Sequence, residues 1–213
     1  MKEQIENLQK SYELSSEQVA DAVNPIEVAA IFEREKVSYV LIGGHMLSYY
    51  TGAARATGDV DFIVGGADFS RSVNLVGQAF QQFRRHDRVY HITYDSTQQN
   101  TSEAERIDLV KDSFPLFREV VKSYSVSVRN GDVVVQLPIV EAAIALKFAA
   151  SISPNRGDEN KPIDHADLIR LVRYNPNLDK QLLSKLGDLV YVGGGNELLS
   201  VVSDLQSGKH VSL

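Results

Sequence analysis

Cysteine is absent from the 213 residues, which excludes disulfides and thiolate metal ligands and agrees with an expected cytoplasmic location. No apolar run reaches the roughly 18 residues that a membrane-spanning helix needs, so no membrane segment is expected. The opening stretch, MKEQIENLQKSYELSSEQVADAV, lacks an apolar h-region, and a secretory leader is not expected either. Positive charge is in short supply: 22 Lys and Arg stand against 28 Asp and Glu, for a net charge of −6. Such a chain is not steered toward nucleic acid over long range, and any binding of that kind needs a local basic patch. Internal repeats and low-complexity tracts are also missing. At 43% hydrophobic, what remains suffices for one large domain or two small ones sharing an interface.

The pattern of elements changes partway along the chain. Residues 1–22 read as an exposed helix, and Asn24-Pro25 opens a second one, with Pro25 placed in its first turn. The β-branched run 37–42 reads as a strand that stops at Gly43-Gly44, followed by a short helix ended by Gly52. Residues 59–64, DVDFIV, read as a second strand, 68–83 as a helix, 88–94 as a strand, 96–105 as a polar loop and 106–110 as a short strand. Two runs at 123–128 and 132–137, joined by Asn130-Gly131, suit a hairpin. Beyond Pro138 the periodicity is helical, over 139–152, 162–173, 178–190 and 196–206. Mixed elements followed by helices alone indicate a core of strands and helices that carries a helical C-terminal domain.

Asp59 and Asp61 carry the clearest chemical signal. Strand alternation puts positions i and i+2 on one face, so the two carboxylates project side by side, opposite Val60, Phe62 and Val64. Like charges that close resist ionising together unless a cation sits between them. Asp108, set among Ile107, Leu109 and Val110, offers a third carboxylate from another strand. One aspartate in a strand is ordinarily an edge charge; three, behind a Gly-Gly turn, point to a metal site. Ligation by oxygen alone suits Mg²⁺ rather than Zn²⁺. Gly43 and Gly44, between a strand and a helix, let the backbone approach a bulky anion, and the free N–H groups of the helix start then face it. A phosphate is therefore expected near Gly43, Gly44 and His45, with His45 acting as a helix N-terminal residue rather than a catalyst.

Lys147 lies in the apolar helix IVEAAIALKFAASI, whose one other charge is Glu141. A lysine there must snorkel, pair with a buried carboxylate or bind an anion. Asp164 and Asp167, three apart on one helical face, are available to orient Lys147 or Arg55, or to cap the helix that Pro162 begins. Arg55 could bind a phosphate or hold a site carboxylate, and Thr57 could hydrogen-bond the turn. Arg84, Arg85 and Arg88 offer either a contact to RNA or another acceptor, or a solvated face. His86, His91, His165 and His210 show no ligand spacing.

The run GG…RATGDVD resembles the signature of the DNA polymerase β-like nucleotidyltransferase superfamily, a Gly-Gly or Gly-Ser turn followed at this distance by Asp-x-Asp. Arg55 and Thr57 before the first aspartate are closer to the bacterial AbiEii-type enzymes of the abortive-infection and toxin–antitoxin branch. Asp108, Lys147 and the run Asp164, Asp167, Leu168 are counterparts of the later motifs, so the resemblance spans 37–173. Ile163 stands where a basic residue is expected, with Lys161 two positions earlier. The implied fold class is α+β: an N-terminal helical extension (1–24), a nucleotidyltransferase-type core with a mixed β-sheet flanked by helices (25–137), and a C-terminal helical domain (138–213).

The implied activity is transfer of a nucleoside monophosphate from an NTP to an acceptor hydroxyl, with pyrophosphate released. Two Mg²⁺ ions, or Mn²⁺ in their place, about 4 Å apart would clamp the attacking and leaving oxygens. Asp59 and Asp61 would bridge both ions, and Asp108 would bind the catalytic one. Gly43, Gly44, His45, Arg55, Thr57, Lys147 and Asp164 would serve the nucleotide and its phosphates. RNA or protein is expected as acceptor ahead of a small molecule, with an antitoxin protein as a further partner. Two alternatives share the fold: an inactive binding or regulatory module, and an antibiotic nucleotidyltransferase.

Overall fold

The structure, a computed structural model, describes residues 2–18, 22–54, 56–96, 106–209 and 211. The chain divides into two compact units, Met1–Pro138 and Ile139–Leu213. The first is built on a five-stranded sheet of order β1-β2-β5-β4-β3. Its strands are β1 (Tyr39–Ile42), β2 (Asp59–Val64), β3 (Phe83–Asp87), β4 (His91–Ser96) and β5 (Arg106–Lys111). β2 and β5 run parallel, and the other neighbours are antiparallel. The fold is of the α+β class, with a mixed sheet and flanking helices.

Alternation along the strands gives this sheet two unlike faces. On one, Leu41, Val60, Phe62, Val64, Ile92, Tyr94, Ile107 and Leu109 are buried and form the core. Phe32, from α2 (Pro25–Arg34), meets Tyr39 and Phe62 at ring-centroid distances of 5.2 and 5.3 Å. Edge and tilted ring contacts of this kind stabilise beyond area burial. The Tyr39 hydroxyl donates to the Val134 carbonyl at 3.0 Å, and burial pushes its pKa well above the ordinary tyrosine value. Val134 lies in the hairpin of β6 (Ser125–Asn130) and β7 (Val133–Pro138).

Three readings of the sequence are revised. The strand expected at 88–94 is the second half of a hairpin, because β3 precedes it and residues 88–90 make the turn. β3 shows no apolar alternation, being an edge strand with four of its five residues exposed. A helix not foreseen, α5 (Pro115–Ser123), buries Leu116 and Val120 four residues apart. The first helix, α1 (Lys2–Gln18), is not exposed on all sides: Leu8 and Ser11 are fully buried, and Asn7 and Ser15 nearly so. The polar loop expected at 96–105 lies largely outside the described residues.

α3 (Gly43–Thr51) follows β1 directly and closes on Gly52 in the left-handed conformation, and α4 (Phe69–Ala79) follows β2. The second unit is helical: α6 (Val140–Ile152), α7 (Lys161–Tyr174), α8 (Lys180–Asp188) and α9 (Gly194–Gln206).

Asp68 ties the start of β1 to α4. Its carboxylate accepts from the Ser38 backbone N–H at 2.9 Å and from Arg71 at 2.7 Å. The backbone donor first, and Arg71 with it, hold its pKa below the ordinary carboxylate value. The native state thus binds fewer protons here than the unfolded chain does, so this stabilisation is present above about pH 4 and is lost as pH falls below it. The Asp68→Asn variant is expected to lose stability less steeply than the parent on acidification, as read from urea unfolding midpoints across that range.

Candidate active site

The second face of the sheet is polar over β3, β4 and the start of β2 and β5, while Val40 and Ile63 are buried on it. Register aligns Ile42, Asp61, Asp108, Thr93 and His86 in one row across β1, β2, β5, β4 and β3. The next row holds Asp59, Arg106, Asp95 and Arg84. None of the residues that β3, β4 and β5 place on this face is buried, whereas their opposite neighbours Phe83, Ile92, Tyr94, Ile107 and Leu109 are. The three aspartates singled out by sequence therefore share one accessible face. Asp61 and Asp108 are direct register partners.

Each carboxylate has its own neighbour. Asp59 lies 4.0 Å from the Arg106 guanidinium, with both side chains 45% exposed. Asp108 accepts a hydrogen bond from the Thr93 hydroxyl at 2.5 Å. Asp61 lies against the Gly-Gly turn: a methyl group added to Gly43 would overlap its Oδ2 atom. Gly43 also has φ +72°, in the region that L side chains rarely adopt, so the position requires glycine on two grounds. Gly44 is approached less closely, by Thr57, whose Cβ would stand 2.9 Å from an added methyl.

α3 starts at Gly43 without a side-chain cap, and its first N–H groups and positive dipole end come to lie beside Asp61. His45, in that first turn, is fully buried, and its Nδ1 atom pairs with Ser11 Oγ at 3.1 Å. Its imidazole is thus a packing group, which leaves the backbone as its route to an anion. Ser15 Oγ accepts from the Thr57 N–H at 3.0 Å and donates to the Ser11 carbonyl at 2.8 Å. α1 in this way braces both Thr57 and the turn. Arg55 lies outside the described residues.

In the second unit Lys147 Nζ lies 2.9 Å from Asp164 and 2.8 Å from Asp167. The lysine side chain is 11% exposed and the carboxylates almost completely buried. Arg156 adds a contact to Asp164 at 2.8 Å. Removing Lys147 would take the nearest cation from both buried carboxylates, leaving Arg156 on Asp164 and Arg170 3.9 Å from Asp167. Asp164 meets two cations here, Lys147 and Arg156. Ile163, beside it, is half-exposed.

Thr93, Arg106, Ser11 and Ser15 were not singled out from sequence. Leu8, Ser11 and Ser15 do follow the three-and-four spacing of a helix face, which was the available signal for the serines. Thr93 and Arg106 acquire meaning through strand register alone.

No family model matches the chain, and no curated protein matches it. Among solved structures, an antigenic nucleotidyltransferase-like protein from Paracoccidioides brasiliensis is similar at a TM-score of 0.52 with 14% identity, over 88% of this chain and 94% of that one. The fold is of the nucleotidyltransferase type. The lincosamide antibiotic adenylyltransferase LnuA, bound to lincomycin, gives a TM-score of 0.46 with 15% identity, over 70% of this chain and 97% of its own. Terminal uridylyl transferase 4 from Trypanosoma brucei, with bound GTP, gives 0.33 with 9% identity, over 81% and 56%.

Among the described residues, no three His, Cys, Asp or Glu side chains are gathered as a ready-made metal cage. The donor set of Asp59, Asp61 and Asp108 still fits a hard divalent cation in chemistry: three carboxylates on one accessible sheet face, with two of them in register.

The contact between Gly43 and Asp61 can be isolated by comparison with Gly52, which has a similar φ of +65° and nothing within 4 Å of an added methyl. Gly52→Ala is expected to cost the backbone term alone, about 1–2 kcal/mol. Gly43→Ala is expected to lower the urea midpoint clearly further. Equal losses would contradict the close approach of Asp61.

Proposed function

We propose that the protein is a divalent-metal-dependent nucleotidyltransferase that moves a nucleoside monophosphate from an NTP to an acceptor hydroxyl and releases pyrophosphate. The observation that carries this reading is the register of Asp61 with Asp108, with Asp59 on the same face and the Gly43 backbone against Asp61, in a nucleotidyltransferase-type fold. A strand that exposes two acids beside a third, on the polar side of an otherwise well-packed sheet, has a folding cost that ligand binding explains.

In this reading Asp59, Asp61 and Asp108 hold the metal. When bound, Mg²⁺ would neutralise charge on the triphosphate and stabilise the oxygens on either side of the α-phosphorus. The chain's own groups do the rest. The first-turn N–H groups of α3, at Gly43, Gly44 and His45, orient the phosphates. Thr57 keeps that turn in place, and Arg55 supplies a cation to the triphosphate. The acceptor hydroxyl attacks the α-phosphorus in line, the bond from that phosphorus to the bridging oxygen breaks, and pyrophosphate leaves with the electron pair. Asp108 takes the hydroxyl proton.

The acceptor in this proposal is RNA or a protein hydroxyl. Arg55 and Thr57, set just before the metal strand, support placement in the AbiEii-type branch, and with it a role as a toxin paired with an antitoxin or in phage defence.

The test is label transfer from each α-labelled NTP with Mg²⁺ to RNA, protein and aminoglycoside acceptors. Asp61→Asn is expected to reduce transfer about a hundredfold or more. Its melting temperature should stay at or above that of the parent, since a repelling charge is removed. Equal transfer by the variant, or no NTP binding by the parent, would overturn the proposal and favour a non-catalytic module.

A further inference from the structure

We propose that Thr93 is a positioning residue for Asp108, fixing the orientation in which that carboxylate meets a divalent cation. The inference rests on the metal-site reading above and adds a residue to it.

Asp108 has a different neighbour on each side. Across the parallel pairing stands Asp61, and across the antiparallel pairing stands Thr93. Two ionised carboxylates at adjacent register positions repel, and an unrestrained aspartate rotates its side chain away from the other charge. The Thr93 hydroxyl opposes that freedom. Its hydrogen bond to Oδ1 of Asp108, at 2.5 Å, lies at the short end of charge-assisted O–H···O⁻ contacts. The pair is half-buried, so water competes for the carboxylate less than at an open surface.

One oxygen of Asp108 is thereby engaged on the β4 side, which leaves Oδ2 for a ligand on the same face as Asp61 and Asp59. Threonine suits the role for two reasons. Its χ1 is stiff, so the hydroxyl is aimed rather than free to wander. Its strand position is pinned on both sides, by Asp108 in β5 and by His86 in β3. His86 pairs in turn with Asp95, at 3.0 Å, which secures the outer edge of the row. Outer partners that orient metal-binding carboxylates typically contribute tenfold to a hundredfold in metal affinity.

The test is Mn²⁺ binding to the full chain, followed by water-proton relaxation or electron paramagnetic resonance, with label transfer measured in parallel. Thr93→Val keeps the shape and removes the hydroxyl, Thr93→Ala removes it with less bulk, and Thr93→Ser restores it. Both hydroxyl-free variants are expected to bind Mn²⁺ about tenfold more weakly than the parent and to lose kcat in proportion, while Thr93→Ser returns to within about twofold. A merely structural role would lower the melting temperature without separating serine from valine in Mn²⁺ affinity. Should the parent bind Mn²⁺ through Asp108, as shown by loss in Asp108→Asn, and Thr93→Val or Thr93→Ala bind equally well, the role of Thr93 is overturned while the metal site stands. Should the parent bind no Mn²⁺, the metal-site reading falls, and the role of Thr93 with it.

Discussion

Asp61 and Asp108 are register partners on neighbouring parallel strands, and two carboxylates held that close repel. Much of the first unit is arranged around this one pairing. Gly43 brings a helix N-terminus against Asp61, Thr93 donates to Asp108, and Arg106 stands beside Asp59. Each acid has a separate source of positive potential, supplied by a backbone dipole, a hydroxyl and a guanidinium.

The opposite face provides the rigidity that this arrangement needs. Buried Phe62, Val60 and Leu109 alternate with the acids along the same strands, so a register slip would put carboxylates into the core. α1 reaches the same point from outside, through Ser11 on His45 and Ser15 on Thr57. The second unit has its own charge cluster, in which Lys147 is set by Asp164 and Asp167 and not left to snorkel.

Much of this was legible in the chain itself. β2 spans the residues expected of it, 59–64, α3 ends at the glycine that marks its end, and the α+β class follows from the order of the elements. Two elements escaped the reading, for different reasons. β3, FRRHD, is an edge strand that faces solvent, and hydrophobic alternation cannot reveal a strand that buries one residue. α5 does carry a helical signal, with Pro115 in its first turn and Leu116 and Val120 four apart, but over only nine residues. Thr93 and Arg106 are ordinary residues until strand pairing sets them beside Asp108 and Asp59, and pairing across the sheet is not written locally. The place of His45 in a helix turn is visible in the sequence, while its burial depends on α1, whose own sequence suggests an exposed helix.

The central claim is that the Asp61–Asp108 pair and the Gly43–Gly44 turn form one site for a metal-bound triphosphate. The most direct measurement is a crystal structure of the full chain with Mn²⁺ and a non-hydrolysable ATP analogue, with anomalous scattering locating the metal. The expected result is an anomalous peak coordinated by Asp61 and Asp108, with phosphate oxygens within hydrogen-bond distance of the Gly43, Gly44 and His45 N–H groups. A nucleotide bound elsewhere, or manganese that touches neither Asp61 nor Asp108, would contradict it.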